Sequence, residues 1–332
     1  MVVGDVTTGT DVLVVGAGPG GYVAAIRAAQ LDLDVTLVER DAYGGTCLNH
    51  GCIPSKALIS ATDVAHRAGD AEHMGVYADP AVDLDAMTDW KDTVVTRLTR
   101  GVEGLCERAG VNLVEGRAEF AGETTARIVH GGEGEGSETV EFEHAVVATG
   151  SRPIEVPDVP FDTEGVLTSR DALAMASLPE SLVVVGAGYI GMELSTVFAK
   201  LGVDVTVVEM LDDVLPGYED DVAGIVRERA EDVGVDFEFG QAATGVERRA
   251  DDSLRLATED EDGEAATFDA EKVLVAVGRE PVTDTLGLDA IGLEPDEDGF
   301  LPTDEQCRTD HERVYAVGDV AGEPMLAHVA SA

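Results

Sequence analysis

Two cysteines in the segment GGTCLNHGCIPSKAL are the residues best suited to chemistry. Cys47 and Cys52 have four residues between them. In a regular helix this spacing corresponds to about 7.5 Å of rise alone, which exceeds the usual Cα separation of about 4.4–6.8 Å across a disulfide. A bridge therefore requires a distorted turn. Gly51 and Pro54 would provide a helix entry of that kind, where the field of the helix N-terminus favours a thiolate.

The spacing alone leaves three interpretations of this pair open: a redox dithiol, one corner of a metal site, or two unrelated buried thiols. Zinc pairs usually have two to four intervening residues and a second ligand pair elsewhere. The other two cysteines, Cys106 and Cys307, are isolated. We therefore disfavour metal and predict no metal site.

A glycine motif upstream of the cysteines predicts a nucleotide site. Gly16, Gly18 and Gly21 follow an apolar run and open a helical segment, and Glu39 lies about 20 residues further on. In such a motif the first glycine allows a tight turn, the second admits a pyrophosphate, and the third permits close helix–strand packing. The helix N-terminus offers N–H groups to the anion, and the carboxylate accepts from a ribose hydroxyl.

The same motif recurs at an offset of 170 residues without a gap, as Gly186, Gly188, Gly191 and Glu209. A carboxylate at this place repels a 2′-phosphate, and no arginine follows it directly, so the second site is predicted to prefer NAD over NADP. Because the cysteine pair follows the first motif, the first nucleotide should be able to exchange electrons with a dithiol. A flavin has that chemistry.

These motifs must be positioned by strand–helix–strand units, and the sequence contains two such units. Each copy is followed by an apolar strand ending in glycine, at Gly150 and Gly278, and HERVYAVGDVAGEPMLAH repeats the pattern of a strand before a helix. Helical spacing over residues 57–105 predicts one or two long helices. The acidic stretches at 131–138 and 250–266 are typical of hairpin or loop tips in antiparallel β-structure.

The 332 residues carry 66 acidic and 22 basic side chains, a formal net charge of −44. This charge opposes binding to nucleic acid or to anionic membranes. Concentrated salt would screen the self-repulsion, since the Debye length falls to about 3 Å at 1 M, so we expect a salt-adapted protein. No signal peptide or membrane-spanning apolar run is evident, which predicts a cytoplasmic location.

Taken together, GAGPGG, the cysteine segment, VVATGSRP, VVGAGYIGME, VLVAVGREP and YAVGDVAGEPMLAH resemble the class I pyridine nucleotide disulfide oxidoreductases, in order and spacing over nearly the whole chain. The cysteine segment is similar to that of members that oxidise dihydrolipoamide. The resemblance implies FAD and NAD as cofactors and a redox-active Cys47–Cys52 disulfide. Cys47 would exchange with the substrate, and Cys52 would lie against the flavin.

Further roles follow from the resemblance alone. Lys56 is similar to a buried lysine near the flavin, paired with Glu193, and Tyr189 is similar to a gate over the nicotinamide. The implied FAD contacts are Gly16, Gly18, Gly21, Glu39, Gly45, Thr46, Lys56, Gly116, Thr149, Gly150, Ser151, Asp319, Met325, Leu326, Ala327 and His328. The implied NAD contacts are Gly186, Gly188, Tyr189, Ile190, Gly191, Glu193, Glu209, Ala243 and Gly278.

The fold implied is α/β, with two Rossmann-like domains that each carry a small antiparallel β-meander. The flavin domain would be discontinuous, at residues 1–150 and 280–332, with the NAD domain inserted at 151–279. Members of the family continue into a C-terminal interface domain that forms a homodimer and supplies an acid–base pair. No such motif occurs here, so we expect a longer native protein.

The implied partner is the lipoyl domain of a 2-oxoacid dehydrogenase complex or a related system, with no nucleic acid and no membrane. Two alternatives remain at this point. One is another member of the family, such as a mercuric reductase. The other is a non-catalytic redox sensor that binds both nucleotides.

Overall fold

The computed structural model describes residues 7–131 and 136–332. Its strands are β1 (Thr7–Val15), β2 (Val35–Glu39), β3 (Asn112–Glu115), β4 (Arg117–Gly122), β5 (Thr125–Val129), β6 (Ser137–Val147), β7 (Ser151–Pro153), β8 (Val166–Leu167), β9 (Ser181–Val185), β10 (Asp204–Glu209), β11 (Val235–Phe239), β12 (Ala242–Arg248), β13 (Leu254–Glu259), β14 (Ala265–Ala270), β15 (Lys272–Val275), β16 (Arg279–Pro281) and β17 (Val314–Ala316).

The helices are α1 (Pro19–Ala29), α2 (Gly45–Asn49), α3 (Cys52–Gly69), α4 (Leu84–Ala109), α5 (Ser169–Leu173), α6 (Tyr189–Lys200), α7 (Asp220–Asp232) and α8 (Ala327–Ala330). Short 3-10 helices cover Ala71–Met74, Leu288–Ile291 and Gly318–Val320. The helical region predicted for residues 57–105 is thus two helices. Among the helices of the described ranges, none is both long and apolar enough to cross a bilayer.

The chain divides into two compact units. Unit 1 contains the described residues up to Asn49, together with Val95–Arg152 and Glu280–Ala332, and unit 2 contains His50–Val94 and Pro153–Arg279. Residues 50–94 therefore group differently from the predicted division, which placed them with the first nucleotide motif. The reason is packing: Leu58 is buried in the same apolar cluster as Leu182 and Leu194.

Unit 1 is built on a seven-stranded sheet with the order β3-β2-β1-β6-β5-β4, in which β17 also pairs with β6. Strands β3, β2, β1, β6 and β17 are mutually parallel, whereas β4, β5 and the first half of β6 are antiparallel. The central strands are buried on both faces and are therefore almost entirely apolar, as in VLVV of β1. One long strand thus joins the parallel core to the meander.

Unit 2 contains a parallel five-stranded sheet with the order β11-β10-β9-β15-β8 and a separate antiparallel sheet, β12-β13-β14. Both units confirm the predicted α/β class with an antiparallel meander in each. The acidic segment 250–266 is not only a loop, because β13 lies within it. The other predicted loop tip, at 131–138, lies partly outside the described residues; its flanking strands β5 and β6 pair as a hairpin.

Candidate functional site

The turn between β1 and α1 requires its glycines for steric reasons. Gly16 has φ of 99°, and a Cβ there would lie 2.3 Å from the Ala148 carbonyl oxygen. A Cβ at Gly21 would lie 1.8 Å from the Gly16 carbonyl oxygen, whereas no atom of residues 7–131 or 136–332 lies within 4 Å of a Cβ at Gly18. Two of the glycines therefore pack the turn, and Gly18 leaves open space in front of it. This division matches the roles expected in a pyrophosphate turn.

Glu39 is held at the end of β2 by the backbone of this turn. Its Oε2 accepts from the Ala17 N–H at 2.7 Å and its Oε1 from the Asp41 N–H at 2.9 Å. Among the described residues, no side chain caps the start of α1, where Gly18 is the N-cap and Pro19 the first helical residue. The first-turn N–H groups are thus available to an anion, and the carboxylate retains lone pairs for hydroxyl donors.

The turn between β9 and α6 repeats this geometry in unit 2. Gly186 has φ of 101°, and its Cβ would lie 2.6 Å from the Ala276 carbonyl oxygen. A Cβ at Gly191 would lie 2.0 Å from the Gly186 carbonyl oxygen, and Gly188 again has open space. The predicted duplication therefore extends to individual contacts.

Glu209 takes the position that Glu39 has in unit 1. Its Oε2 accepts from the Ala187 N–H at 2.7 Å and its Oε1 from the Leu211 N–H at 2.9 Å. Glu209 is 6% exposed, and the neighbouring Met210 is 63% exposed. The buried and fixed Glu209 carboxylate suits a ribose diol. The exposed Met210 beside it carries no positive charge that could bind a 2′-phosphate.

The cysteine segment begins against the first glycine turn. The Gly44 N–H donates to the Ala17 carbonyl at 2.8 Å, and a Cβ at Gly45 would lie 2.6 Å from Gly18 Cα. Helix α2, which carries Thr46 and the half-buried Cys47, therefore starts on the turn itself.

Two phenols of unit 1 lie near this segment. Burial raises the pKa of Tyr22, and the charges of Cys47 and Cys106 add to the shift. Burial also raises the pKa of Tyr43 to about 12, with smaller contributions from carboxylates that include Glu115 and Glu39. Tyr22 therefore lies within electrostatic reach of Cys47, in a partly desolvated part of unit 1.

Helix α3 begins at Cys52, after the turn that the cysteine spacing requires. α2 ends at Asn49, and Gly51 is the N-cap of α3 with φ of −143° and ψ of −114°, far from helical values. The predicted break in the helix between the cysteines is confirmed. Cys52 is half-buried at the first position of an 18-residue helix, where the helix field stabilises an anion.

Ser55, the neighbour of Lys56 in α3, contacts the predicted site residue Glu193. Lys56 is exposed, and among the described residues the Glu193 carboxylate is contacted by Ser55, whose Oγ donates to Oε2 at 2.7 Å. Successive residues of a helix point about 100° apart, so Ser55 and Lys56 point in different directions. Ser55 is thus the residue seen on Glu193, and the pairing of Lys56 with Glu193 stays a prediction. Ser55 was not predicted from the sequence because its side chain is uncharged, and the neighbouring Lys56 is the more obvious partner for a carboxylate.

Other predicted flavin contacts are joined to one another within unit 1. Ser151 Oγ donates to Asp319 Oδ2 at 2.6 Å, and Thr149 Oγ1 donates to the Val282 carbonyl at 2.7 Å. Gly150 lies between them with φ of 70°.

Gly116 adjoins the end of β2, because its N–H donates to the Glu39 carbonyl at 2.8 Å. A Cβ at Gly116 would lie 2.8 Å from both Ile128 and Val129. Of the late segment Met325, Leu326, Ala327 and His328, the last two residues begin α8, and His328 is exposed. A Cβ at Gly20 of α1 would lie 3.1 Å from the Ala330 carbonyl oxygen of α8.

The remaining predicted NAD contacts lie in unit 2. Tyr189, 43% exposed, and Ile190 open α6 directly after Gly188. Ala243 lies at an irregularity in the β12–β13 pairing, and Gly278, with φ of 144°, accepts from the Ile154 N–H at 3.1 Å. Within residues 7–131 and 136–332, no cluster of His, Cys, Asp and Glu side chains suited to a metal ion is present.

The two glycine turns fit the diphosphate and ribose portions of dinucleotides. The cradle is defined in each unit by a second glycine with open space, an uncapped helix start and a carboxylate fixed by two backbone N–H groups. A protein with two such turns and a cysteine segment on one of them belongs, as a class, to the two-nucleotide oxidoreductases.

Comparison with known proteins identifies the family. The family model described as pyridine nucleotide-disulphide oxidoreductase matches residues 10–332. "Dihydrolipoyl dehydrogenase 2" of Haloarcula marismortui is 71% identical over the whole chain, which covers 70% of that relative, and "Dihydrolipoyl dehydrogenase" of Halobacterium salinarum is 69% identical with the same coverage. The crystal structure of LpdA from Mycobacterium tuberculosis is 30% identical, with a TM-score of 0.87 over 97% of this chain and 70% of that chain.

The chain therefore belongs to the pyridine nucleotide-disulphide oxidoreductase family. It is a flavin-dependent disulfide oxidoreductase whose cofactors are FAD and NAD(H). The two curated relatives named above come from halophilic archaea, which agrees with the salt adaptation expected from the net charge.

Proposed function

We propose that this chain oxidises dihydrolipoamide, using a Cys47–Cys52 disulfide as the first electron acceptor and NAD as the final one. The observation that carries the proposal is the start of the cysteine segment on the first nucleotide turn, where Gly45 packs against Gly18. Relatives that share 69–71% of the sequence are named for the dihydrolipoyl reaction. The source of the substrate would be a lipoyl domain of a 2-oxoacid dehydrogenase complex.

The residues of unit 1 would hold FAD. Gly18 and the start of α1 would bind the pyrophosphate, Glu39 the ribose, and the linked Ser151 and Asp319 the polar chain of the flavin. Thr46, Gly116, Thr149 and the segment 325–328 would complete the site. When bound, FAD supplies two-electron transfer between thiols and nicotinamide.

Thiol–disulfide exchange at Cys47 would begin the reaction. One thiolate of dihydrolipoamide attacks Sγ of Cys47, the bond to Cys52 breaks, and Cys52 leaves as a thiolate. The second substrate thiolate then displaces Cys47, which releases lipoamide with its ring disulfide closed. The substrate loses two electrons, which the cysteine pair gains, and two protons, of which one protonates Cys47 and the other passes to the solvent.

The position of Cys52 favours this leaving role. It is the first residue of α3, and the uncapped N–H groups of that helix stabilise negative charge on the sulfur. Lys56, one turn further along, would contribute positive charge from an exposed position.

Unit 2 would bind NAD, which accepts the hydride. Gly188 and the start of α6 would bind the pyrophosphate, and Glu209 would accept from the ribose. Tyr189, exposed on the first turn of α6, would cover the nicotinamide. Ala243 and Gly278 are the outer contacts in this proposal.

The decisive experiment measures NADH formation from dihydrolipoamide and NAD in concentrated KCl. Cys47→Ser and Cys52→Ser should each lower kcat by at least about a hundredfold, because a hydroxyl cannot exchange with a disulfide. Cys307→Ser is the matched control, since this cysteine is exposed and far along the chain; its kcat should stay within about twofold of wild type. Wild-type rates in either of the first two variants would refute the disulfide mechanism.

A further inference from the structure

Two polar contacts join helix α3, which begins at Cys52, to helix α6, which begins at the second glycine turn. Ser55 Oγ donates to Glu193 Oε2 at 2.7 Å, and Lys200 Nζ donates to Asp63 Oδ1 at 2.7 Å. The second contact lies about two turns further along both helices, so the helices run in the same direction. Both contacts lie within unit 2.

On each helix, the contact between Ser55 and Glu193 lies one turn from a residue that is proposed to take part in the reaction. Residues three or four apart share a helix face. Ser55 therefore shares a face with Cys52, the first residue of α3, and Glu193 shares one with Tyr189, the first residue of α6. A hydrogen bond between Ser55 and Glu193 fixes the redox end of one helix to the nicotinamide end of the other.

The direction of the Ser55 hydroxyl differs from that of other buried hydroxyls in these two helices. Thr62 of α3 donates to the Leu58 carbonyl at 3.0 Å, and Ser195 of α6 donates to the Gly191 carbonyl at 2.6 Å. Each of these bonds stays within its own helix, as is usual for such residues. Ser55 is equally buried, at 5% exposure, but its hydroxyl crosses to a carboxylate on the other helix.

The partly buried Glu193 carboxylate gains from this contact because a desolvated anion needs donors. Hydrogen bonds to a charged group are stronger and more directional than those between neutral groups. The hydroxyl therefore restricts the rotamers of Glu193 and fixes the register of α3 on α6.

We propose that Ser55 is a positioning residue of the reaction and acts through Glu193. The kinetic consequence of this inference rests on the proposed function. In that function Ser55 affects the transfer of electrons from Cys52, at the start of α3, to NAD at the start of α6. It predicts an effect on kcat and little effect on NAD binding, because the pyrophosphate and ribose contacts of unit 2 do not involve Ser55.

The test compares Ser55→Ala with the matched control Ser195→Ala in the flavin-loaded enzyme. S55A should lower kcat by about tenfold or more, which corresponds to one hydrogen bond to a charged group, with the KM for NAD unchanged within about twofold. S195A should leave both constants within about twofold. Ser55→Thr, which keeps the hydroxyl, should return kcat to within about threefold of wild type.

Two further measurements separate positioning from general destabilisation. In a Glu193→Gln background, S55A should lower kcat by less than about twofold, because the two residues act as one unit. Amide hydrogen exchange in the second turn of α3, at residues 56–59, should accelerate at least about tenfold in S55A and not in S195A.

Each outcome decides the proposal. An S55A kcat within twofold of wild type, or an S55A effect that is undiminished in the Glu193→Gln background, would overturn it. If S55A does not fold, a folded S55T with more than a tenfold loss of kcat would also overturn it. Failure of the wild type to form NADH would instead refute the proposed function, and the exchange rates would still decide the role of Ser55.

Discussion

The two nucleotide turns have the same local geometry but lead into different structures. Gly16 and Gly186 differ by only 2° in φ, and each following carboxylate is held by two backbone N–H groups. A later part of the chain also closes each turn by a backbone hydrogen bond. The Gly44 N–H donates to the Ala17 carbonyl, and the Leu215 N–H donates to the Ala187 carbonyl. After this shared closing contact the paths of the chain diverge.

In unit 1 the chain enters α2 and the cysteine segment, whereas in unit 2 it continues to α7. The meanders differ too, since β6 connects the meander of unit 1 to its parallel sheet and the meander of unit 2 is a separate sheet. The duplicated scaffold thus repeats one turn geometry in both units. The loop that follows the closing contact is the part that differs, and under the proposed function it carries the redox chemistry of unit 1.

The equivalence of the two turns is tested most severely at the third glycine of each. Gly21→Ala and Gly191→Ala would place Cβ atoms 1.8 Å and 2.0 Å from backbone oxygens, so each should lower the free energy of unfolding by more than about 3 kcal/mol. Urea unfolding measures this. A large loss in only one of the two variants would show that the turns are not equivalent.

The second glycines should separate binding from stability. Gly18→Ala and Gly188→Ala meet no atom within 4 Å, so the free energy of unfolding should change by less than about 1 kcal/mol. A methyl group there would obstruct a pyrophosphate, so G18A should weaken FAD retention and G188A should raise the KM for NAD, each by about tenfold to a hundredfold. Loss of flavin from G188A would contradict the assignment of the two sites.

The loops after the closing contacts should differ in alkaline solution. Because the folded pKa of Tyr43 is about 12, above the usual value of about 10, the folded protein retains a proton that the unfolded chain has lost between these pH values. Tyr43 alone should therefore lower the stability by up to about 2 kcal/mol as the pH rises from 10 to 12. Tyr43→Phe should reduce this slope in urea unfolding and leave the smaller part that comes from the raised pKa of Tyr22, whereas Tyr218→Phe in unit 2, an exposed phenol, should leave the whole slope unchanged.

The smallest expected effect concerns the carboxylates. In Glu209→Gln the amide NH₂ would face one of the two backbone N–H donors that now bind the carboxylate. The KM for NAD should therefore rise about tenfold, and the ratio of kcat/KM for NAD to that for NADP should fall. Glu39→Gln should reduce flavin affinity and leave that preference unchanged. A change of nucleotide preference in Glu39→Gln would reverse the assignment.

Much of this fold follows from short-range patterns. The repeat at an offset of 170 residues predicted both parallel sheets, both turns and their carboxylates, because the period of apolar residues and the need for glycine in a tight turn are local properties. The break between Cys47 and Cys52 was likewise predictable, since a helix cannot bring residues at that spacing together.

The sequence by itself therefore determined the α/β class, the two nucleotide turns and the candidate redox pair. Only the tertiary structure decided that residues 50–94 pack with the second unit and that Ser55 contacts Glu193 while Lys56 is exposed. The physical reason is that these features depend on which face of α3 meets α6. Helix register is set by side chains distant in sequence, and neither residue type nor spacing within α3 encodes it.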